Sequence, residues 1–168
     1  NGQLGGRGEG RDFLMEGCRF LENNTKGYSP GWEAGGIKIS DSRNARILGC
    51  DFIDNDGPGL WLDIDNRHAL VEDNLVAGNA GQGIYIEISG WCVVRNNLCI
   101  GNGVGTGNEG RGWGSAGITV AESRECLVTH NLCAFNRDGI AVREGGPRSF
   151  VNKEGEPTTR SEERRVGK

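Results

Sequence analysis

Two carboxylates define the chemistry this sequence offers. Asp63 and Glu87 end the segments Gly59-Leu60-Trp61-Leu62-Asp63 and Gly83-Ile84-Tyr85-Ile86-Glu87, which match position for position. If those segments lie side by side, the two acids oppose each other with Cβ atoms about 5 Å apart. A pair so spaced serves general acid/base work, and the separation suits a retaining glycoside hydrolase. Two residues before each acid stands an aromatic, Trp61 or Tyr85. Flat rings beside acids make a surface on which sugar rings stack while their hydroxyls are hydrogen-bonded. Lys38 takes the aromatic's place in the related segment Gly36-Ile37-Lys38-Ile39. An ammonium there neutralises the acids, binds a uronate carboxylate, or serves as the base of a lyase. Asp65 opens a different use. Asp63, Asp65 and Glu87 are hard oxygen ligands of the kind calcium takes, so calcium is the cofactor to be tested.

What must position these residues is a repeat. A glycine followed by alternating apolar residues recurs at Gly36, Gly59, Gly83, Gly117 and Gly139. A second series runs Ala45 to Phe52, Ala69 to Val76, Cys92 to Cys99 and Cys126 to Cys133, and asparagines return at Asn23, Asn55, Asn79, Asn102 and Asn136. The typical period is about 23 residues, the length of one supersecondary unit in a stacked array. Alternation puts Ile37, Ile39, Leu60, Leu62, Ile64, Ile84, Ile86, Ile88, Ile118, Val120, Ile140 and Val142 on one inward face. One unit cannot bury that face, whereas stacked units can. The residues between them then face outward, in rows that hold Lys38, Trp61 and Tyr85, then Asp63 and Glu87, with Asp65 and Ser89 beginning a third. A sandwich or barrel of short hairpins leaves the in-register recurrence unexplained.

Composition narrows the remaining classes. Thirty glycines in 168 residues argue against a helical bundle, since each interior glycine costs a helix about 1 kcal/mol. A net charge of −4 removes the electrostatic footprint of a nucleic-acid binder. No apolar run reaches the ~18 residues of a membrane span. Six cysteines invite a reading as three disulfides. Coil alignment instead stacks Cys18 with Cys50, Cys92 with Cys126 and Cys99 with Cys133, as small buried thiols whose parallel side chains suit a disulfide poorly. Asn74, Asn97 and Asn131 share the register of Cys18 and Cys50, where amides can bridge stacked turns.

The segments "GWEAGGIKI", "GPGLWLDIDN" and "GQGIYIEIS" resemble the right-handed parallel β-helix repeat family, which includes pectate lyases, polygalacturonases, alginate lyases and epimerases. More narrowly they look like bacterial β-helix repeat proteins of unassigned chemistry. The resemblance implies an all-β solenoid of about five coils, open at both ends as a fragment of a longer, monomeric chain. Residues 1–10 read as a lead-in, 11–146 as the coils, and 147–168 as a partial coil with a charged, disordered or non-native tail. Two stretched units, Asn23 to Gly36 and Asn102 to Gly117, carry Trp32 and Trp113 and are expected to wall a sugar groove. The expected function is a carbohydrate-active protein, lyase-, hydrolase- or epimerase-like, extracellular or at the cell surface, with a polysaccharide as partner. Its alternative is a non-catalytic polysaccharide-binding or adhesin-like module. Asp63, Glu87 and Lys38 carry the catalytic reading, and Trp61, Tyr85, Trp32 and Trp113 the binding one.

Overall fold

The repeat folds as three parallel sheets that run the length of a solenoid. A computed structural model describes residues 2–4, 10–104 and 115–144. Trp113 and the tail from residue 145 lie outside the described residues. The first sheet stacks Gly2–Leu4, Ile37–Ile39, Leu60–Asp63, Ile84–Glu87, Ala116–Ala121 and Asp138–Arg143. The second stacks Leu14–Glu16, Arg46–Leu48, Leu70–Glu72, Val93–Arg95 and Leu127–Thr129. The third stacks Arg19–Leu21, Asp51–Ile53, Leu75–Ala77, Leu98–Ile100 and Leu132–Ala134. The second and third sheets thus take one short strand from each of five coils, a small fourth sheet pairs Gly10–Arg11 with Ser42–Arg43, and every pairing is parallel. Among the described residues no helix is long and apolar enough to cross a membrane.

Register follows the repeat. Ile39, Leu62, Ile86, Val120 and Val142 are successive strand partners, as are Ile37, Leu60, Ile84, Ile118 and Ile140. From Ile37 to Val120 they meet Ile47, Val71 and Val94 from the second sheet and Phe52, Val76 and Cys99 from the third in one apolar core. Ile140 and Val142, expected to be buried there, are instead exposed on the last strand, which has no further coil stacked on it among the described residues. Burying so much branched aliphatic surface at about 25 cal/mol per Å² drives the coils together. Glycine marks each coil's entry into the first sheet because neighbouring backbones approach closely there. A Cβ on Gly36 would strike the Gly59 carbonyl, and one on Gly83 the carbonyl of Gly117.

Corners are turned by residues in the left-handed region. Asp41, Ile64, Ile88 and Glu122 form one such column at the exit of the first sheet. Ile64 and Ile88 thus stand at a bend and do not continue the inward alternation. A β-branched residue at positive φ is sterically costly, so the stacked coils must hold it there. Asparagine ladders do part of that work. Asn74 Oδ1 accepts from the Cys50 amide while its Nδ2 donates to Ile47 O, and Asn97 and Asn131 repeat the pattern one and two coils on. A second ladder runs Asn23, Asn55, Asn79, Asn102 and Asn136. At a third corner Ser42, Asn66, Ser89 and Ser123 are linked in the same way, which places Ser89 in a ladder and not in an outward row. All six cysteines are free thiols, with Cys99 directly over Cys133.

Candidate functional site

The two acids are strand partners. Glu87 pairs with Asp63, and Tyr85 with Trp61, across the adjacent strands Ile84–Glu87 and Leu60–Asp63. Lys38 pairs with Trp61 on the other side. Sequence spacing placed these five side chains on one face of the first sheet, and the register bears that out.

Exposure is where the expectation fails. The rows expected to face solvent are buried: Trp61 is 6% exposed, Tyr85 7%, Asp63 5% and Glu87 6%. From Ile37–Ile39 to Ala116–Ala121 the parallel sheet is enclosed on both faces, as such sheets usually are, and only its last strand, Asp138–Arg143, is largely exposed among these. Alternation along a strand reports which side of the sheet a residue takes, not what covers that side.

Inside this enclosure the groups interlock. The Trp61 and Tyr85 rings stack with centroids 5.3 Å apart and planes 16° from parallel. The Lys38 ammonium lies 4.0 Å from the Trp61 ring centroid, 2.7 Å from Asp63 Oδ2, and donates to the Trp32 carbonyl at 2.9 Å. One lysine therefore ties the loop before its own strand to the acid of the next coil. Beyond Glu87, the Arg143 guanidinium reaches to 3.9 Å of its Oε1 and 3.7 Å of Glu122 Oε1. Ala121, the residue between Glu87 and Arg143 in the row, is small enough for that reach. The opposed carboxylates are thus flanked by a cation at either end, which offsets their mutual repulsion.

Tyr85 is strongly altered by its surroundings. Burial, then the negative charge and hydrogen bonding of Glu87, push its phenol far above the ordinary value. Three further polar atoms in the cluster, Trp61 Nε1, Asp63 Oδ1 and Arg143 Nε, are buried without a hydrogen-bond partner.

Asp65 leaves the cluster. It follows the bend at Ile64 and itself has φ of 59°, so the row does not continue through it. Its Oδ2 meets Arg43 Nη2 at 3.0 Å and its Oδ1 meets Arg67 Nε at 2.9 Å. Calcium wants six to eight oxygen ligands in one place, and here both Asp65 oxygens are claimed by guanidinium groups. Among the described residues no group of three or more His, Cys, Asp or Glu side chains is placed to hold a metal ion. The proposed calcium trio of Asp63, Asp65 and Glu87 does not fit this arrangement.

Sequence reasoning passed over the arginines. Arg43 and Arg67 are bridge partners in neighbouring coils, and their recurrence at one register position was the available signal. Arg124 continues that column past Gly90 and lies with its guanidinium 4.2 Å from the Trp91 ring centroid. Trp32 stands apart from the enclosed groups. It is 73% exposed, with Tyr28 at 63% in the same loop, while Asn24 braces that loop through bonds with the Tyr28 amide and carbonyl.

A family model described as the right-handed β-helix region matches residues 1–112. The chain belongs to the right-handed β-helix family. No curated protein and no solved structure matches it. The matched stretch of this right-handed β-helix contains Lys38, Trp61, Asp63, Tyr85 and Glu87, while Arg143 lies beyond it. Membership settles the scaffold. Reaction and ligand depend on the side chains this β-helix carries.

Proposed function

We propose that the chain is part of a carbohydrate-active β-helix protein that acts on a polysaccharide at the Asp63–Glu87 face. The observation that carries this reading is the in-register carboxylate pair beside stacked aromatics, with Trp32 exposed on the loop that Lys38 tethers. A sugar ring resting on Trp32 brings a chain toward the two acids. Side-by-side partners have Cβ atoms about 5 Å apart, and carboxyl groups about that far apart suit double displacement through a glycosyl-enzyme intermediate. One acid then attacks the anomeric carbon while the other protonates the leaving oxygen, and later deprotonates the incoming water. The Lys38 ammonium, engaged by Asp63 and by the Trp32 carbonyl, is better suited to hold Asp63 in place than to abstract a proton. Polysaccharide substrates of this size belong outside the cell or at its surface, and a single β-helix suffices to bind them.

A second reading follows from the flanking cations. Lys38 and Arg143 neutralise both acids within a buried face, as they would in a non-catalytic polysaccharide-binding module whose contacts are Trp32 and Tyr28. Asp63→Asn, Glu87→Gln and Trp32→Ala separate the readings when assayed for polysaccharide affinity and release of reducing ends. In an enzyme the acid variants lose turnover and keep affinity within a few-fold, because the pair acts chiefly in the transition state. A module shows no turnover in any form and loses affinity only in Trp32→Ala. Wild-type behaviour in all three variants would refute the site.

A further inference from the structure

The outer face of the third sheet is apolar and open. Phe52, Val76 and Cys99 point into the core, so the residues on either side of them point out. One outward row ends in Leu75, Leu98 and Leu132, and the other runs from Leu21 through Ile53, Ala77 and Ile100 to Ala134. Leu98 is 36% exposed and Leu132 56%, and Phe135, at the bend that follows, is 87% exposed. The charged positions in these rows are Arg19 and Asp51, which bind each other at 3.1 Å. The second sheet gives the contrast. Its outward rows carry Arg46, Glu72 and Arg95, as suits a face left in water. Strands such as Leu98–Ile100, apolar on both sides, are what a parallel sheet has when both of its faces are covered.

We propose that this face is covered by a second copy of this chain, packed antiparallel about a two-fold axis beside Leu98 and Ile100, in place of the monomer that the family resemblance implies. The aliphatic rows repeat at the strand spacing of about 4.8 Å, and ridges of that period fit best against a surface of the same period, which a second copy supplies. Charge excludes other occupants. The Arg19–Asp51 pair is satisfied within the chain, and the exposed acids Glu22 and Asp54 at the edge repel an anionic membrane or a polyuronate. The same charges set the axis. In a parallel pairing each coil would meet its own counterpart, and Arg19 and Asp51 would be pressed against aliphatic side chains at a desolvation cost. Turned antiparallel about Leu98, the coils of Leu75, Leu98 and Leu132 overlap, and the Arg19–Asp51 pair stays at the rim, where interfaces keep their charges. Leu75 of one copy then meets Leu132 of the other. The bulky Phe135 comes to lie over Gly78, which stands at the same bend two coils away.

This inference is independent of the carbohydrate reading, since it uses neither the first sheet nor Trp32. The overlap is narrow beside the roughly 800 Å² per partner of a stable complex, so the dimer is concentration-dependent. Sedimentation equilibrium of the full chain from about 1 μM to about 1 mM tests it. The expected result is a monomer–dimer equilibrium within that range, weakened at least about tenfold in Leu98→Lys, where like charges meet at the axis. Phe135→Ser should weaken it as well, and because that ring lies outside the core it carries the test should Leu98→Lys fail to fold. Leu127→Lys, also exposed but on the second sheet, should leave the equilibrium unchanged. A wild-type chain that stays monomeric to about 1 mM would overturn the proposal. So would a dimer indifferent to both Leu98→Lys and Phe135→Ser, or one broken by Leu127→Lys, because its interface would lie on another face.

Discussion

Lys38 and Asp63, on adjacent coils, form an ion pair of 2.7 Å in which both side chains are almost wholly buried. The same ammonium sits against the Trp61 ring and holds the carbonyl of Trp32. One side chain thereby couples a surface loop, an aromatic stack and a carboxylate pair.

Lys38→Met keeps the length of the side chain and removes its charge. Asp63 is then left buried without its cation and directly beside Glu87. Breaking one half of a buried pair typically costs about 3–5 kcal/mol. Denaturant unfolding of the variant should show a loss in that range, and Lys38→Met/Asp63→Leu, which removes both charges, should recover much of it. A loss below about 1 kcal/mol for Lys38→Met would mean the pair is solvated.

Tyr85 gives a pH signature. Its phenol is held protonated in the folded chain beyond the ordinary value of 10.0, whereas the unfolded chain releases that proton near the ordinary value. The folded state therefore binds the proton more tightly. Its contribution to stability is complete below pH 10 and declines as pH rises above it. Melting temperature followed through that alkaline range should fall more steeply in the wild type than in Tyr85→Phe. Equal slopes would show that the phenol ionises alike in both states.

Asp65 distinguishes an arginine clamp from a calcium ligand. Asp65→Ala removes the carboxylate that both Arg43 and Arg67 bind, and should lower stability by about 3 kcal/mol. Added calcium or a chelator should leave the melting temperature of the wild-type chain unchanged. A calcium-dependent rise would restore the metal reading, because a ligand bound only by the folded state stabilises it by mass action.

Asn79 measures what the ladders contribute. Its side-chain oxygen accepts from the Asn55 amide and Nδ2, and its own Nδ2 donates to Phe52 O and to Asn102 Oδ1. Asn79→Ala strands several buried partners, each worth about 1–3 kcal/mol when left unsatisfied. A combined loss of about 3–5 kcal/mol in denaturant unfolding is expected. A change near zero would mean that the ladder merely follows the packing of the coils.

How far the sequence reached can be read from these residues. Ile39, Leu62, Ile86 and Val120 stack as their spacing implied, because register in a solenoid is fixed by the repeat itself. The Asp63–Glu87 and Trp61–Tyr85 pairings follow from that register for the same reason. Exposure was not legible, since the burial of Trp61 and Tyr85 depends on what lies over the sheet and not on the strand. Asp65 was misplaced because a two-residue period was carried past Ile64, where the backbone turns left-handed despite a β-branched side chain. Its partners Arg43 and Arg67 come from the corner column, which follows the coil repeat but not the two-residue alternation of the strand before it.

The central claim is that the Asp63–Glu87 face receives a polysaccharide, and a structure of the chain bound to xylohexaose tests it most directly. The account predicts one sugar ring against Trp32 and both carboxylates within hydrogen-bond reach of the ligand. A hexasaccharide bound on another face, with Trp61, Asp63 and Glu87 untouched, would contradict it.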